Sequence, residues 1–436
     1  MSKYIRDNSP ADNGPDALWI LGMMEISLYI AASFPGTNLF GSIPIQKLSL
    51  FLLLGQGIIA IIYYMKDGIQ LPIYMVWYGI FALLSFLTLV LLCNKTTNDE
   101  FRSILICLAI TTVFSLYIDS EKAFRVICWS YIMVCLINTI ALVATDALNL
   151  EAGDRLGTEM EINPNEIANF LMYGVVYAVW LIIFEKNNAK RLILLCITLI
   201  IAYPLVLTGG RKFFLAPLFF MGMILVMKGD PNKGSSRVKY LFMIFCILTI
   251  IWYVIMTIPA LYNSLGYRLE GLLNSVTGQG EADMSSQERK QLRQLAINGW
   301  LSSPLWGKGL DMFKYFSRAN GLPFFYSHSN ITELLYSGGV ILFLSYYWFF
   351  GYIFWKCRTD KSIQYDLKLF CIPGILTQTI FDYGGVSYNV FHTQLFILLI
   401  FCAMEGYKNC SLRFTYTPLT YIPGGQKRQD KKGNKG

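Results

Sequence analysis

Residues 71–93 read LPIYMVWYGIFALLSFLTLVLLC, an uncharged run between Asp67 upstream and Lys95 downstream. At about 1.5 Å per residue, some 20 such residues make a helix of roughly 30 Å, the thickness of a bilayer's hydrocarbon core. Eleven more apolar runs, bounded by charge or by Gly/Pro/Asn clusters, lie at roughly 17–34, 48–64, 103–118, 126–144, 165–184, 192–208, 213–227, 240–261, 329–354, 367–381 and 391–405. The whole chain of 436 residues is 55% hydrophobic and only 15% charged, where a soluble domain carries about 25% charge. An ordinary soluble enzyme is thereby excluded. The reading is an all-α polytopic membrane protein of about 12 transmembrane helices with a long, partly helical extracytoplasmic loop.

Charge sets the expected orientation. With the N-terminus inside, 23 of the 36 Lys and Arg residues fall on the cytoplasmic side and 13 outside, seven of those in one long loop that could cross regardless of charge. The short loops favour both termini in the cytoplasm. The expected organisation is a cytoplasmic tail (1–16), helices one to nine (17–261), an extracytoplasmic loop with an amphipathic helix (262–328), helices ten to twelve (329–405) and a basic cytoplasmic tail (406–436). The tail sequence QKRQDKKGNKG is polybasic and suits an anionic lipid surface. The polar first residues, with Asp7, Asp12 and Asp16, do not resemble a cleaved signal, so the first apolar run reads as a retained helix. The ten cysteines form no CxxC, and neither a P-loop nor a GxGxxG is present. No metal, cofactor or nucleic-acid partner is expected.

Two outer segments, 145–164 and 262–328, are longer than connectors need to be. In the second, Ser285 followed by Glu288 reads as a capping box, and SQERKQLRQLAINGW places Leu292, Leu295, Ala296 and Trp300 on one helix face. This helix is expected to lie on the membrane domain or the bilayer surface. Arg289 and Arg293, at i and i+4, flank that face and either snorkel to lipid headgroups or enter a cavity as anion ligands. Asp311, Lys314 and Arg318 follow the Pro/Gly turn and read as positional. Asn330 with Glu333 reads as a second cap, which puts His328 at a helix start, where extra positive charge is disfavoured and the imidazole tends to be neutral. His328 is therefore either a boundary residue or a proton acceptor. His392, before the last run, reads as an interfacial anchor.

Arg211 lies in the tight TGGRKFF hairpin, and Arg155 in GDRLGTEMEINPNE. Together with Arg102, Arg268, Arg289, Arg293 and Arg318 they make seven outer guanidiniums without a balancing carboxylate cluster. Guanidinium forks bind phosphate oxygens bidentately, so a phosphorylated lipid or anionic polymer is the simplest client.

The ordered motifs RLGTEMEINPNEIANF (155–170), TGGRKFFLAPL (208–218), SSQERKQLRQLAINGWLSSPLWGKGLDMF (285–313) and SHSNITELLYSGGVILFLSYY (327–347) resemble the O-antigen polymerase and O-antigen ligase superfamily of bacterial polysaccharide assembly. Members resemble inverting, metal-independent glycosyltransferases of the bacterial cytoplasmic membrane that use undecaprenyl-diphosphate-linked saccharides. The resemblance implies diphosphate binding by Arg211 and Arg289, with Arg155, Arg268 and Arg293 as further substrate-binding residues. It implies that His328 orients or deprotonates the acceptor hydroxyl. Apart from the resemblance, Glu333 and Asp382 are alternative bases, Glu333 lying about 140° around the helix from His328 and so reading as a cap instead. Lipid-linked oligosaccharides, membrane lipids, a chain-length regulator and a flippase are the implied partners. Polymerase is favoured over ligase. A lipid-linked oligosaccharide flippase is the reading from another class, which would place charges within helices and show two homologous halves.

Overall fold

The computed structural model describes residues 17–35, 45–64, 71–93, 97–145, 147–148, 150, 154–158, 160–229, 234–277 and 284–407. The polybasic C-terminal sequence and the N-terminal tail lie outside these residues. The first nine apolar runs are α1 (Ala17–Ala32), α2 (Ile45–Tyr64), α3 (Ile73–Cys93), α4 (Asp99–Tyr117), α5 (Glu121–Ala144), α6 (Pro164–Phe184), α7 (Asn188–Leu207), α8 (Arg211–Lys228) and α9 (Gly234–Thr257). The long loop holds the short α10 (Pro259–Leu261), a π-helical turn (Tyr262–Gly266), α11 (Tyr267–Thr277), α12 (Met284–Leu301) and α13 (Phe313–Ala319). The last three runs are α14 (Asn330–Thr359), α15 (Tyr365–Asp382) and α16 (Phe391–Met404). Eight of these helices, α2–α7, α9 and α14, are long and apolar enough to cross a membrane, and α1 and α16 are shorter apolar helices.

Side-chain caps fix where several helices begin. Asn98, Ser120 and Asn187 accept backbone N–H groups at the starts of α4, α5 and α7, and Pro164 occupies the first turn of α6, where no N–H is needed. Continuous apolarity lets α6 and α16 sit in the middle of the bundle: every residue of α16 from Thr393 to Met404 is buried. Helix α9 is peripheral, with Leu241, Phe242, Phe245 and Tyr253 exposed on a surface suited to lipid. Trp77 of α3 stacks on Phe349 of α14 at 4.4 Å and donates its indole N–H to the carbonyls of Ser345 and Tyr346. A buried indole thus keeps its hydrogen bond.

Alternate connectors gather at opposite ends of the bundle. At one end Asn98 donates to the Leu310 carbonyl and Leu156 N–H to the Leu207 carbonyl, tying the two long connectors to the short ones. At the other, Lys356 pairs with Glu405, and Tyr365 donates to the Met227 carbonyl.

Helix α14 is broken. Gly338 (φ −138°, ψ 17°) and Gly339 (φ 63°, ψ −161°) leave the helical region. The second of these conformations is essentially restricted to glycine. Asn330 and Tyr347 would be roughly 25 Å apart on a straight helix, yet Asn330 Nδ2 donates to the Tyr347 hydroxyl at 3.0 Å. The N-terminal half therefore folds back over the C-terminal half. The loop 304–309 straps this break: Val340 and Ile341 N–H bond to the carbonyls of Pro304 and Leu305, and Lys308 and Gly309 N–H to those of Tyr336 and Ser337. Backbone groups freed by the kink are satisfied by the strap, as a buried break requires. Gly307, at φ +69°, touches the amides of Gly338 and Gly339, where a side chain has no room. The Gly-rich pieces at 304–309 and 338–339 are the two halves of one joint.

Two expected caps are corrected. Ser285 lies inside α12, which already includes Met284, so it does not precede the helix. At α14 the N-cap position is Ser329. Asn330 instead latches the 385–388 loop: its N–H donates to the Gly385 carbonyl, and its Oδ1 accepts from Ser387 and Tyr388 N–H. The loop also contains more helix than the one amphipathic segment expected, because α11 and α13 flank α12. Helix α12 docks on protein: Leu292 and Ala296 are buried against Phe313 and Tyr336, with Leu295 partly buried beside them.

Candidate active site

The two long connectors, the seven-eight hairpin and the 383–390 loop meet at one end of the bundle. Arg155 is held from two sides, its Nε donating to the Thr208 carbonyl at 2.6 Å and its Nη2 to Asn165 Oδ1 at 3.1 Å. Gly209, at φ +65°, is pressed against Arg155 and the Ser264 carbonyl; a Cβ there would lie 2.7 Å from that oxygen. The hairpin thus needs glycine both for its backbone angle and for its contacts. Arg211 opens α8, and its guanidinium donates to the Arg268 carbonyl at 3.2 Å and to Ser286 Oγ at 3.0 Å, joining α8, α11 and α12. Arg268 packs over Tyr267 and Arg293 over Tyr383, with guanidinium carbons 5.4 Å and 5.1 Å from the ring centres.

Arg289 is the common member of this group, its charge acting on Arg155, Lys212 and His328. Burial first, then Arg268 and Arg289, lowers the Arg155 guanidinium to about 10, so it stays charged at neutral pH. Like charges crowded to this degree raise a structure's energy unless an anion joins them.

His328 sits in the left-handed region at φ +57°, uncommon for a residue with a side chain. Its imidazole is pushed down to about 4, by burial first and then by Arg289, Lys212 and Arg293. The ring is therefore neutral at pH 7, and the structure traces this to burial and neighbouring cations rather than to the helix end alone. Glu333 reaches back to accept the Ser327 N–H at 2.8 Å, which fixes the residue before His328. Asp382 is fully buried and receives Ser387 Oγ at 2.5 Å, Gln378 Nε2 at 2.6 Å and Tyr347 OH at 2.9 Å. These three donors make the Asp382 carboxylate a tie between α15, the 383–390 loop and the C-terminal half of α14.

Of the seven arginines expected outside, Arg155, Arg211, Arg268, Arg289 and Arg293 converge. Arg102 is exposed and pairs with Asp99 at 3.5 Å, and Arg318 lies over Phe324, so neither joins the group. Lys314 pairs with Asp311 at 2.7 Å, as positional residues would. His392 packs among Tyr131, Phe170 and Phe391, inside the bundle rather than at an interface. The residue that sequence reasoning missed is Lys212. Its ammonium donates to the Gly384 carbonyl at 2.9 Å, lies 4.7 Å and 4.6 Å from the rings of Phe213 and Phe381, and acts electrostatically on His328. A Cβ on Gly385 would fall 2.1 Å from it. The signal was a second cation directly after Arg211, backed by two phenylalanines, in TGGRKFF.

Among the described residues no cluster of His, Cys, Asp and Glu could hold a metal ion. The arrangement offers fixed cations around one neutral base, which suits a polyanionic leaving group next to a hydroxyl nucleophile.

No curated protein matches the chain. Residues 196–347, which carry Arg211, Arg268, Arg289, Arg293 and His328, match the family model described as O-Antigen ligase. That domain match, on an all-α polytopic membrane fold, supports placing the chain in the O-antigen polymerase and ligase superfamily.

Proposed function

We propose that this chain is a polysaccharide polymerase that joins undecaprenyl-diphosphate-linked repeat units at the outer face of the bacterial cytoplasmic membrane. The observation that carries the reading is the gathering of Arg155, Arg211, Arg268 and Arg289 in one group, with Arg289, Arg293 and Lys212 acting on neutral His328 beside it. A hydroxyl of one repeat unit attacks the anomeric carbon of the saccharide carried on undecaprenyl diphosphate. The new C–O bond forms as the bond to phosphate breaks, the hydroxyl proton passes to His328, and undecaprenyl diphosphate departs with the bonding pair. Arg211 and Arg289, with Arg155, Arg268 and Arg293 around them, hold the diphosphate and stabilise charge growing on the leaving oxygen. A diphosphate is already a good leaving group, so positioning and charge neutralisation are the main tasks. Glycosidase-type paired carboxylates are not needed.

Binding of the anion also changes the base. Neutralising the field of Arg289, Lys212 and Arg293 raises the imidazole's proton affinity when the donor is in place. The base is thereby strengthened in the loaded complex.

The family description favours a second reading, a ligase that transfers finished polymer to lipid A core or to protein. Both share the donor chemistry and differ in acceptor. The test is single-turnover conversion of purified lipid-linked repeat in detergent: a polymerase yields dimeric glycan from repeat units alone, a ligase releases its glycan only onto its own acceptor, and a flippase yields no longer glycan.

A further inference from the structure

The sequence Pro323-Phe324-Phe325-Tyr326 leads directly into His328, and it places large rings where solvent reaches them. Phe325 is 52% exposed, Tyr326 43%, and Tyr383, the ring under Arg293, 61%. The imidazole of His328 lies beside the first two, its ring centre 6.0 Å from that of Phe325 and 4.5 Å from that of Tyr326. Exposed rings normally belong to mobile segments, but this backbone is pinned from both sides. Ser317 Oγ donates to the Pro323 carbonyl at 2.6 Å, Phe325 N–H donates to the same oxygen at 2.8 Å, and Ser327 N–H is held by Glu333. A fixed backbone presenting uncovered rings is a pre-organised surface, which lowers the entropy cost of binding.

Membrane anchoring is the common use of exposed aromatics in such a chain. The neighbours of these rings argue otherwise. Phe324 lies between Lys314 and Arg318, Tyr326 is in the field of Arg289, and Tyr383 carries Arg293 on its face. Leu301, Leu305 and Trp306, 60%, 60% and 58% exposed, form a separate apolar set at and just after the end of α12, better suited to a lipid interface.

We infer that Phe325 and Tyr326, with Tyr383 under Arg293, form the subsite for the acceptor saccharide, stacking the C–H face of a sugar ring and presenting its hydroxyl to His328. The inference rests on the glycosyl-transfer reading above and adds the place where the nucleophile binds. The chemistry divides cleanly: diphosphate oxygens take the guanidiniums, and a pyranose, apolar on its faces and polar at its rim, takes the rings beside a proton acceptor.

The test uses the purified full chain, with the lipid-linked repeat unit from a strain lacking this protein as donor. The acceptor is the same repeat released from its lipid by mild acid. Phe325→Ala and Tyr326→Ala are expected to raise the acceptor KM roughly three- to tenfold, the worth of one aromatic contact, leaving donor KM within about twofold. Trp306→Ala, outside the subsite, keeps the wild-type value. Unchanged acceptor KM in both alanine variants overturns the subsite, as does an equal rise in donor KM. If the wild-type protein converts nothing, the glycosyl-transfer reading has failed by itself. Saturation-transfer NMR of the free oligosaccharide then decides the subsite: signal with wild type that is lost in the double alanine variant supports it, and equal signal, or none, refutes it.

Discussion

Replacing Gly339 by alanine puts a methyl group into the joint of α14. The new Cβ would lie 2.3 Å from both the carbonyl carbon and oxygen of Leu305, and neither backbone atom can rotate away. The residue must also hold φ 63°, ψ −161°, which costs a side-chain-bearing residue about 1–3 kcal/mol. Moving the strap aside breaks the two bonds next to the clash, Val340 N–H to Pro304 and Ile341 N–H to Leu305. At about 0.5–1.5 kcal/mol each, the total destabilisation is about 2–6 kcal/mol. Gly351 lies in the same helix, with nothing within 4 Å of a Cβ built on it and ordinary helical geometry. Gly351→Ala should be neutral or stabilising by up to about 1 kcal/mol. Both variants can be heated in detergent and the surviving monodisperse fraction read by size-exclusion chromatography. Gly339→Ala should lose its native peak several degrees below wild type, while Gly351→Ala should follow wild type. Coincident melting of all three proteins would refute the strapped-break account.

Four further outcomes follow from the site. If neutral His328 is the base, kcat/KM falls as pH drops through about 4; Arg289→Gln removes one of its three cations and should move that limb upward, to between about 4 and the ordinary 6.5, because burial remains. The same depressed pKa means that the unfolded chain takes up a proton first, so His328 costs the fold stability as pH falls from 6.5 towards about 4, and His328→Gln should flatten that slope in acid-unfolding curves. Gly385→Ala displaces the Lys212 ammonium, a flexible group that can swing away, so normal expression with activity lowered roughly ten- to a hundredfold is expected in the conversion assay. Arg211→Lys should damage turnover nearly as much as Arg211→Ala, because an ammonium cannot replace a fork that bonds both the Arg268 carbonyl and Ser286.

The helices were legible because membrane runs are announced by composition alone: each of the twelve apolar stretches is a helix, with ends shifted by a few residues. The kink in α14 was not, since YSGG inside an apolar run looks like tolerated glycine until the strap supplies its hydrogen-bond partners from about 30 residues upstream. Arg211, Arg289 and His328 could be singled out because charge is scarce at membrane edges. Asn330 was misread for a physical reason: an Asn three residues before a Glu fits a cap locally, but its side chain serves a contact 57 residues away. Lys212 was hidden behind its neighbour, because only the fold shows that the ammonium turns to the 383–385 loop while Arg211 turns to α12. Long-range pairings of this kind leave no periodicity to read.

The most direct test of the central claim is the glycan made in cells whose only copy of this chain carries Arg211→Ala or Arg289→Ala, resolved as a ladder on a gel. Both proteins should be present and membrane-inserted, and the glycan should stop at a single repeat unit. Full-length polymer from both variants would contradict diphosphate binding by these arginines, and with it the proposed reaction.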